Sequence, residues 1–188
     1  MRAGPRIIGL SGKARSGKDS AFDFIHAALA KVGIEARRVA FADGVREEAK
    51  LAGWDGVKDE AGRTMLQNVG MTRRLENPRY WINKAFGRIL HEFFRAEEAG
   101  QEVIWVITDV RFLNEMAAIL KADGRVWRIE RRDPETHELH DNGLTPEQKA
   151  HASETELDGR EFAWVISAET LDELAYMVDR GLAHEGLL

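Results

Sequence analysis

The stretch GKARSGKDS, residues 12 to 20, sets two glycines and a lysine at the spacing G-x-x-x-x-G-K. That pattern builds a backbone cradle for phosphate. Gly12 and Gly17 let the main chain close on an anion, and the loop amides (Ser16 among them) converge with the start of the following helix. Lys18 adds a mobile cation for the outer phosphates, and Arg15 adds a second. The bland alternative is a strand-to-helix turn that is merely rich in glycine. The pattern normally ends in Ser or Thr, whose hydroxyl holds Mg²⁺, but here Asp19 follows Lys18 and the hydroxyl comes one residue later at Ser20. Two readings stay open. Either Asp19 takes the metal side, directly or through water, or it stabilises the first helical turn while Ser20 serves the metal.

A second acid agrees with the loop. Asp109 closes the apolar run VIWVITD, and in open α/β sheets ligands gather at the carboxyl ends of strands. An acid there can hold Mg²⁺ or orient its water; the alternative is a helix cap for FLNEM. Arg111, two residues on, can meet a phosphate or pair with a surface acid. Arg131 and Arg132 open a polar stretch just after a strand and read as lid arginines that swing over a transferring phosphoryl group, against the alternative of solvated surface residues. His137, His140, Asp141 and His151 lack the context of a metal cluster and read as polar lid residues. His151, Ser153 and Glu154 either fix that lid or touch a nucleotide.

These groups need a frame. Arg6–Leu10 reads as a buried strand entering the loop, and Phe22, Ile25, Ala28, Leu29 and Val32 give a helix that Gly33 closes. ARRVAFAD (36–43) reads as a second strand, followed by a helix with Asp43 at its N-cap. Residues 53–62 read as a loop and 63–75 as a helix that breaks near Gly70. Asn77-Pro78 starts a further helix, whose apolar face from Trp81 to Phe93 is simplest as core, with Trp81 a candidate to stack on a base. VIWVITD (103–109) fits a central strand covered on both faces. A helix to Gly124, a strand at 125–130, the polar excursion 131–159, a strand at 162–167 and a last helix complete the order. Strands alternating with helices predict an α/β fold with a parallel sheet.

The chain has 188 residues, the size of one domain, with 44% hydrophobic and 31% charged residues. Its net charge of −5 argues against a nucleic-acid polymer as partner, while a local cluster of arginines can still serve a small anion. It has no cysteine, which excludes disulfides and thiolate chemistry. No apolar run reaches the length of a membrane span, and the N-terminal run leads straight into the glycine loop and reads as a strand rather than a leader. The expectation is a cytoplasmic protein acting on a small molecule, with a homodimer allowed.

The loop SGKARSGKDS resembles that of the deoxynucleoside monophosphate kinases of tailed bacteriophages, in which Gly-Lys-Asp is usual. The resemblance continues in order through FADGVREEA (41–49), RTMLQNVG (63–70), YWINKAF (80–86), TDVRFLNEM (108–116) and HASETELDG (151–159). It implies a three-layer P-loop kinase fold with an acceptor-binding segment at about 43–100 and a lid at about 131–159. It also implies ATP and Mg²⁺ as cofactors and transfer to a (deoxy)nucleoside monophosphate. Its phosphate loop falls on Gly12, Arg15, Ser16, Gly17, Lys18 and Asp19, and its strand-end pair on Asp109 and Arg111. Its acceptor side falls on Asp43, Arg46, Arg63, Gln67 and Trp81. Gly44 stands where that family often has proline, and Arg46 where it often has lysine. Phosphomevalonate kinases of the animal type look similar too, and a nucleotide-binding regulator without transfer chemistry is the alternative from another class.

Overall fold

A computed structural model describes residues 4–57 and 59–188. Residues 1–3, at the head of the N-terminal run, and position 58, in the expected loop 53–62, lie outside the described residues. Five strands form one wholly parallel sheet: β1 (Arg6–Ser11), β2 (Glu35–Val39), β3 (Val103–Val110), β4 (Arg125–Arg131) and β5 (Trp164–Ala168), in the order β2-β3-β1-β4-β5.

The apolar run of β3 fits its place because alternate side chains leave a strand on opposite faces. Val103, Trp105 and Ile107 enter the core on one side, and Ile104 and Val106 the core on the other. β1 divides likewise, with Ile7 on the first side and Ile8 and Leu10 on the second. Helices α1 (Lys18–Lys31) and α8 (Leu171–His184) cover the second face through Ile25, Leu29, Val178 and Leu182. Helices α2 (Phe41–Leu51), α4 (Tyr80–Glu98) and α5 (Leu113–Lys121) cover the first face through Phe41, Ile82, Ile89 and Ile119. Each large side chain removed from water in this way contributes roughly 1.5–3 kcal/mol. Helix α3 (Glu60–Glu76) lies against α2 and α4. The result is the expected three-layer α/β architecture. No helix among the described residues is long and apolar enough to cross a membrane.

Several local expectations are corrected. The second strand stops at Val39 rather than at 43, and α2 begins at Phe41 with Ala40 as its extended N-cap. Asp43 is therefore inside the helix, where its carboxylate reaches back to accept from the Ala40 amide at 3.0 Å; the acid at N3 satisfies a donor that would otherwise be orphaned. Helix α3 does not break at Gly70. It runs unbroken from Glu60, capped by Asp59, whose Oδ1 accepts from the Gly62 amide at 2.8 Å. The Gly70 carbonyl instead accepts from the Trp81 indole N–H at 3.0 Å, tying α3 to α4. The polar excursion has local order: Arg132 and Leu139 form an antiparallel bridge, and two short helices follow, α6 (Pro146–Lys149) and α7 (Ala152–Thr155).

Candidate phosphate-binding site

The loop between β1 and α1 has room only for glycine at position 12. A Cβ there would stand 2.4 Å from Ser16 Oγ and 2.5 Å from the Ile129 carbonyl oxygen. Gly17 turns the chain into α1 at φ 93°, in the left-handed region. Lys18 is the first residue of α1, and its ammonium folds back over the loop. It donates to the Gly12 carbonyl at 2.9 Å, the Lys13 carbonyl at 2.7 Å and Ser16 Oγ at 3.3 Å. Burial, and then the nearby Arg111 guanidinium, lower the Lys18 pKa to about 8. Arg128 lowers it further, while the carboxylates of Glu154 and Asp19 pull the other way.

Asp19 and Ser20 stand in the first turn of α1, Asp19 exposed and Ser20 half-buried. Neither side chain engages another described residue in a hydrogen bond or ion pair, so oxygens from both are free to take a cation.

The opposite wall of the loop comes from a segment far along the chain. Arg111 donates from Nη1 to Glu154 Oε1 and to the Ser153 carbonyl, and Glu154 Oε2 accepts from the Ala14 amide at 2.9 Å. Lys13 reaches the same segment, donating to the Glu154 carbonyl and, at 2.5 Å, to Asp158 Oδ2. The other oxygen of Asp158 accepts from Arg128 Nη2 at 3.0 Å, and Arg128 Nη1 lies 3.3 Å from Ser11 Oγ. Of the HASE residues, Glu154 meets the loop. His151 caps α7, its Nδ1 accepting from the Ser153 amide at 3.2 Å and lying 2.9 Å from Ser153 Oγ.

Sequence reasoning passed over Lys13, Arg128 and Asp158. The signal for Arg128 was present, because RVWRIE carries one charge in the middle of an apolar strand, and a buried charge must find a partner. Asp158 lies four residues after Glu154, in the turn beyond α7, and only the fold reveals what it faces.

Asp109, the last residue but one of β3, gives both oxygens to the start of α2: Oδ1 accepts from the Phe41 amide at 2.8 Å and Oδ2 from the Ala42 amide at 2.9 Å. It is a helix cap, although for α2 and not for the FLNEM helix. Burial pushes its carboxyl above the ordinary value despite those two donors. Asp43 pairs with Arg46 at 2.7 Å and with Arg38 at 3.5 Å. Beside them Glu115, 3% exposed, accepts from the Arg111 amide at 2.9 Å and the Phe112 amide at 3.2 Å, and pairs with Arg74 at 3.5 Å. Burial, and then the Asp109 charge, raise the Glu115 pKa to about 7.

Other candidates separate. Arg63 and Gln67 lie one turn apart on the exposed face of α3, and their side chains engage no described partner. A groove of about 720 Å³ runs along the same helix beside Asp59, Thr64, Met65 and Asn68, and no loop residue lines it. Trp81 is 2% exposed, with the edge of its ring against Gly44 and its indole N–H spent on Gly70. Its ring lies in the core, with no face open for a base to stack on. The same contact accounts for Gly44, where any Cβ would press on Trp81 at 3.0 Å. Arg131 is exposed with no side-chain partner among the described residues. Arg132 is committed instead, to Ser167 Oγ at 2.5 Å, the His137 carbonyl at 2.8 Å and Glu130 at 3.8 Å. Arg15 reaches across to the Asn142 carbonyl at 3.0 Å, joining the loop to the polar excursion.

No family model matches the sequence, and no curated protein matches it. Among solved structures, the fold is similar to that of a gluconokinase from Sinorhizobium meliloti 1021, with a TM-score of 0.50 and 15% identity over 98% of this chain and 95% of that one. A Mycobacterium tuberculosis APS kinase in complex with AMPPNP and APS aligns at a TM-score of 0.49 and 16% identity, over 97% of this chain and 99% of that one. At these identities the likeness is one of fold alone, a parallel five-stranded α/β architecture.

Proposed function

We propose that this protein is an ATP- and Mg²⁺-dependent phosphotransferase that converts a (deoxy)nucleoside monophosphate to its diphosphate. One observation carries the reading: Lys18 crowns a glycine cradle whose facing wall, from a separate part of the chain, brings in Arg111 and Arg128. A site that only held a nucleotide would need the first bank alone. Transfer between two polyanions needs cations on both.

The residues fit the groups that this chemistry requires. Glycine at position 12, where a Cβ would strike Ser16 Oγ and the Ile129 carbonyl, keeps the loop tight enough to close on phosphate, and Lys18 can turn from its own loop carbonyls to the outer phosphates. Asp19 and Ser20 offer free oxygens for Mg²⁺. Asp109 keeps a second lone pair on each oxygen, so while capping α2 it could also accept from a water of the ion. When bound, Mg²⁺ offsets the charge of the donor phosphates. On the acceptor side Arg46, Arg63 and Gln67 lie on α2 and α3, and Arg131 is free at the start of the lid. No general base is needed, because the acceptor is already an oxyanion.

The test is a coupled assay of ADP release with Mg²⁺·ATP against dNMPs, NMPs, phosphomevalonate and gluconate. Turnover confined to nucleotides supports this reading. Turnover with one of the other acceptors keeps the enzyme and changes its substrate. ADP release that no acceptor stimulates marks a nucleotide-binding regulator.

A further inference from the structure

Glu154 is an unusual neighbour for a phosphate loop, since a carboxylate beside polyphosphate is repelled unless cations outweigh it. It is nevertheless 8% exposed and firmly held. His151 caps its helix, and Leu157, 3% exposed, is sunk in the core. Glu156 accepts from the Leu113 amide at 2.8 Å, and Asp158 holds Lys13 and Arg128. A segment fastened at so many points is no loose plug waiting to be displaced. Lys13, Lys18, Arg111 and Arg128 surround it and offset the carboxylates of Glu154 and Asp158, so Glu154 does not stand there as an uncompensated charge.

We infer that Glu154 is a positioning residue: its two oxygens join the Ala14 amide of the phosphate loop to the Arg111 guanidinium, and so set the distance between the donor cradle and the arginine facing it. This rests on the phosphotransferase reading. Arg111 is gripped at both ends, its backbone amide by Glu115 and its guanidinium by Glu154. Its planar fork therefore approaches the loop in one orientation. Rigid placement of this kind matters because a misplacement of about 1 Å can cost about 100-fold in rate.

The experiment compares wild type, Glu154→Gln, Arg111→Lys and the double variant, with Mg²⁺·ATP and the best dNMP acceptor. Glu154→Gln keeps size and one acceptor but loses the charge that holds Arg111. Its kcat is expected to fall about 100-fold while the KM for ATP stays within about 3-fold, and Arg111→Lys should behave alike. The double variant should be no worse than either single, because the two residues act as one unit. Nitrogen-15 NMR of the arginine side chains gives a readout independent of turnover: the Arg111 guanidinium should rotate slowly in wild type and freely in Glu154→Gln. An unchanged kcat, a lower KM for ATP (a carboxylate that competes with phosphate), or identical Arg111 dynamics in the two proteins would each overturn the inference. Absence of turnover by wild type with every acceptor would instead overturn the phosphotransferase reading, and the NMR comparison would still decide what Glu154 does.

Discussion

The amide of Phe41 donates to the carboxylate of Asp109 at 2.8 Å, and with the Ala42 amide beside it this makes the last turn of β3 the cap of α2. The bonded residues are 68 and 67 positions apart in the chain, yet one carboxylate fixes the helix that carries Asp43 and Arg46. Asp109→Asn retains one acceptor and points an amide N–H₂ at a backbone donor. The variant should lose about 1–3 kcal/mol of stability, read by urea unfolding, and should need more Mg²⁺ for half-maximal turnover. An unchanged Mg²⁺ titration in a folded variant would remove Asp109 from the metal's surroundings.

Lys18 should report ligand binding through its proton. With its pKa lowered to about 8, part of the population is neutral at pH 8.5 in the free protein, and bound phosphate restores the charge. Calorimetry of Mg²⁺·ATP binding in buffers of different ionisation enthalpy should therefore show proton uptake at pH 8.5 that vanishes near pH 6.5. Lys18→Ala should bind without uptake and should abolish transfer while the fold survives. Near-normal turnover in that variant would refute the donor site.

Glu115 gives a second pH signature. Its folded pKa, about 7, lies above the ordinary carboxylate value of 4.5, so between those values the folded state binds more protons than the unfolded one. This group's contribution to stability is then greatest at low pH and is lost as pH rises through 7, with a limit of roughly 3 kcal/mol. Melting temperature measured from pH 5 to 8.5 should decline less steeply in Glu115→Gln than in wild type. Parallel curves would mean that Glu115 is ionised throughout.

Arg63 tests the acceptor side. It is exposed and unpaired among the described residues, so its loss should not unfold α3. Arg63→Ala should raise the KM for the acceptor by about tenfold or more while leaving that for ATP nearly unchanged, as expected for removal of one charge-assisted bond. Equal effects on both constants would count against an acceptor role.

The parts of this protein readable from its sequence are those governed by local rules. The β1–loop–α1 unit follows from Gly12, Gly17 and Lys18, and the central strand from the apolar run at 103–109, because spacing and periodicity carry the information directly. The boundary at residues 40–43 was misplaced because Asp43 and Asp109 divide the free amides at the start of one helix between them, and Asp109 comes from a distant strand. Gly70 looked like a breaker, but helix α4 leans on it through Trp81, and that packing fixes the role of both residues. The wall facing the loop was half legible. HASE could be singled out, whereas the partnership of Glu154 with Ala14 and Arg111, and of Asp158 with Lys13 and Arg128, depends on chain segments that meet only after folding.

The order β2-β3-β1-β4-β5 places β1 between two strands that are both made later than β2, its successor in the chain. A nascent polypeptide ending near residue 100 would thus own every glycine of the cradle and still lack both of the ribbons that flank it. On the phosphotransferase reading, a grip on ATP would arise only once β3 and β4 have docked beside β1, and a chain ending near residue 100 should not bind it.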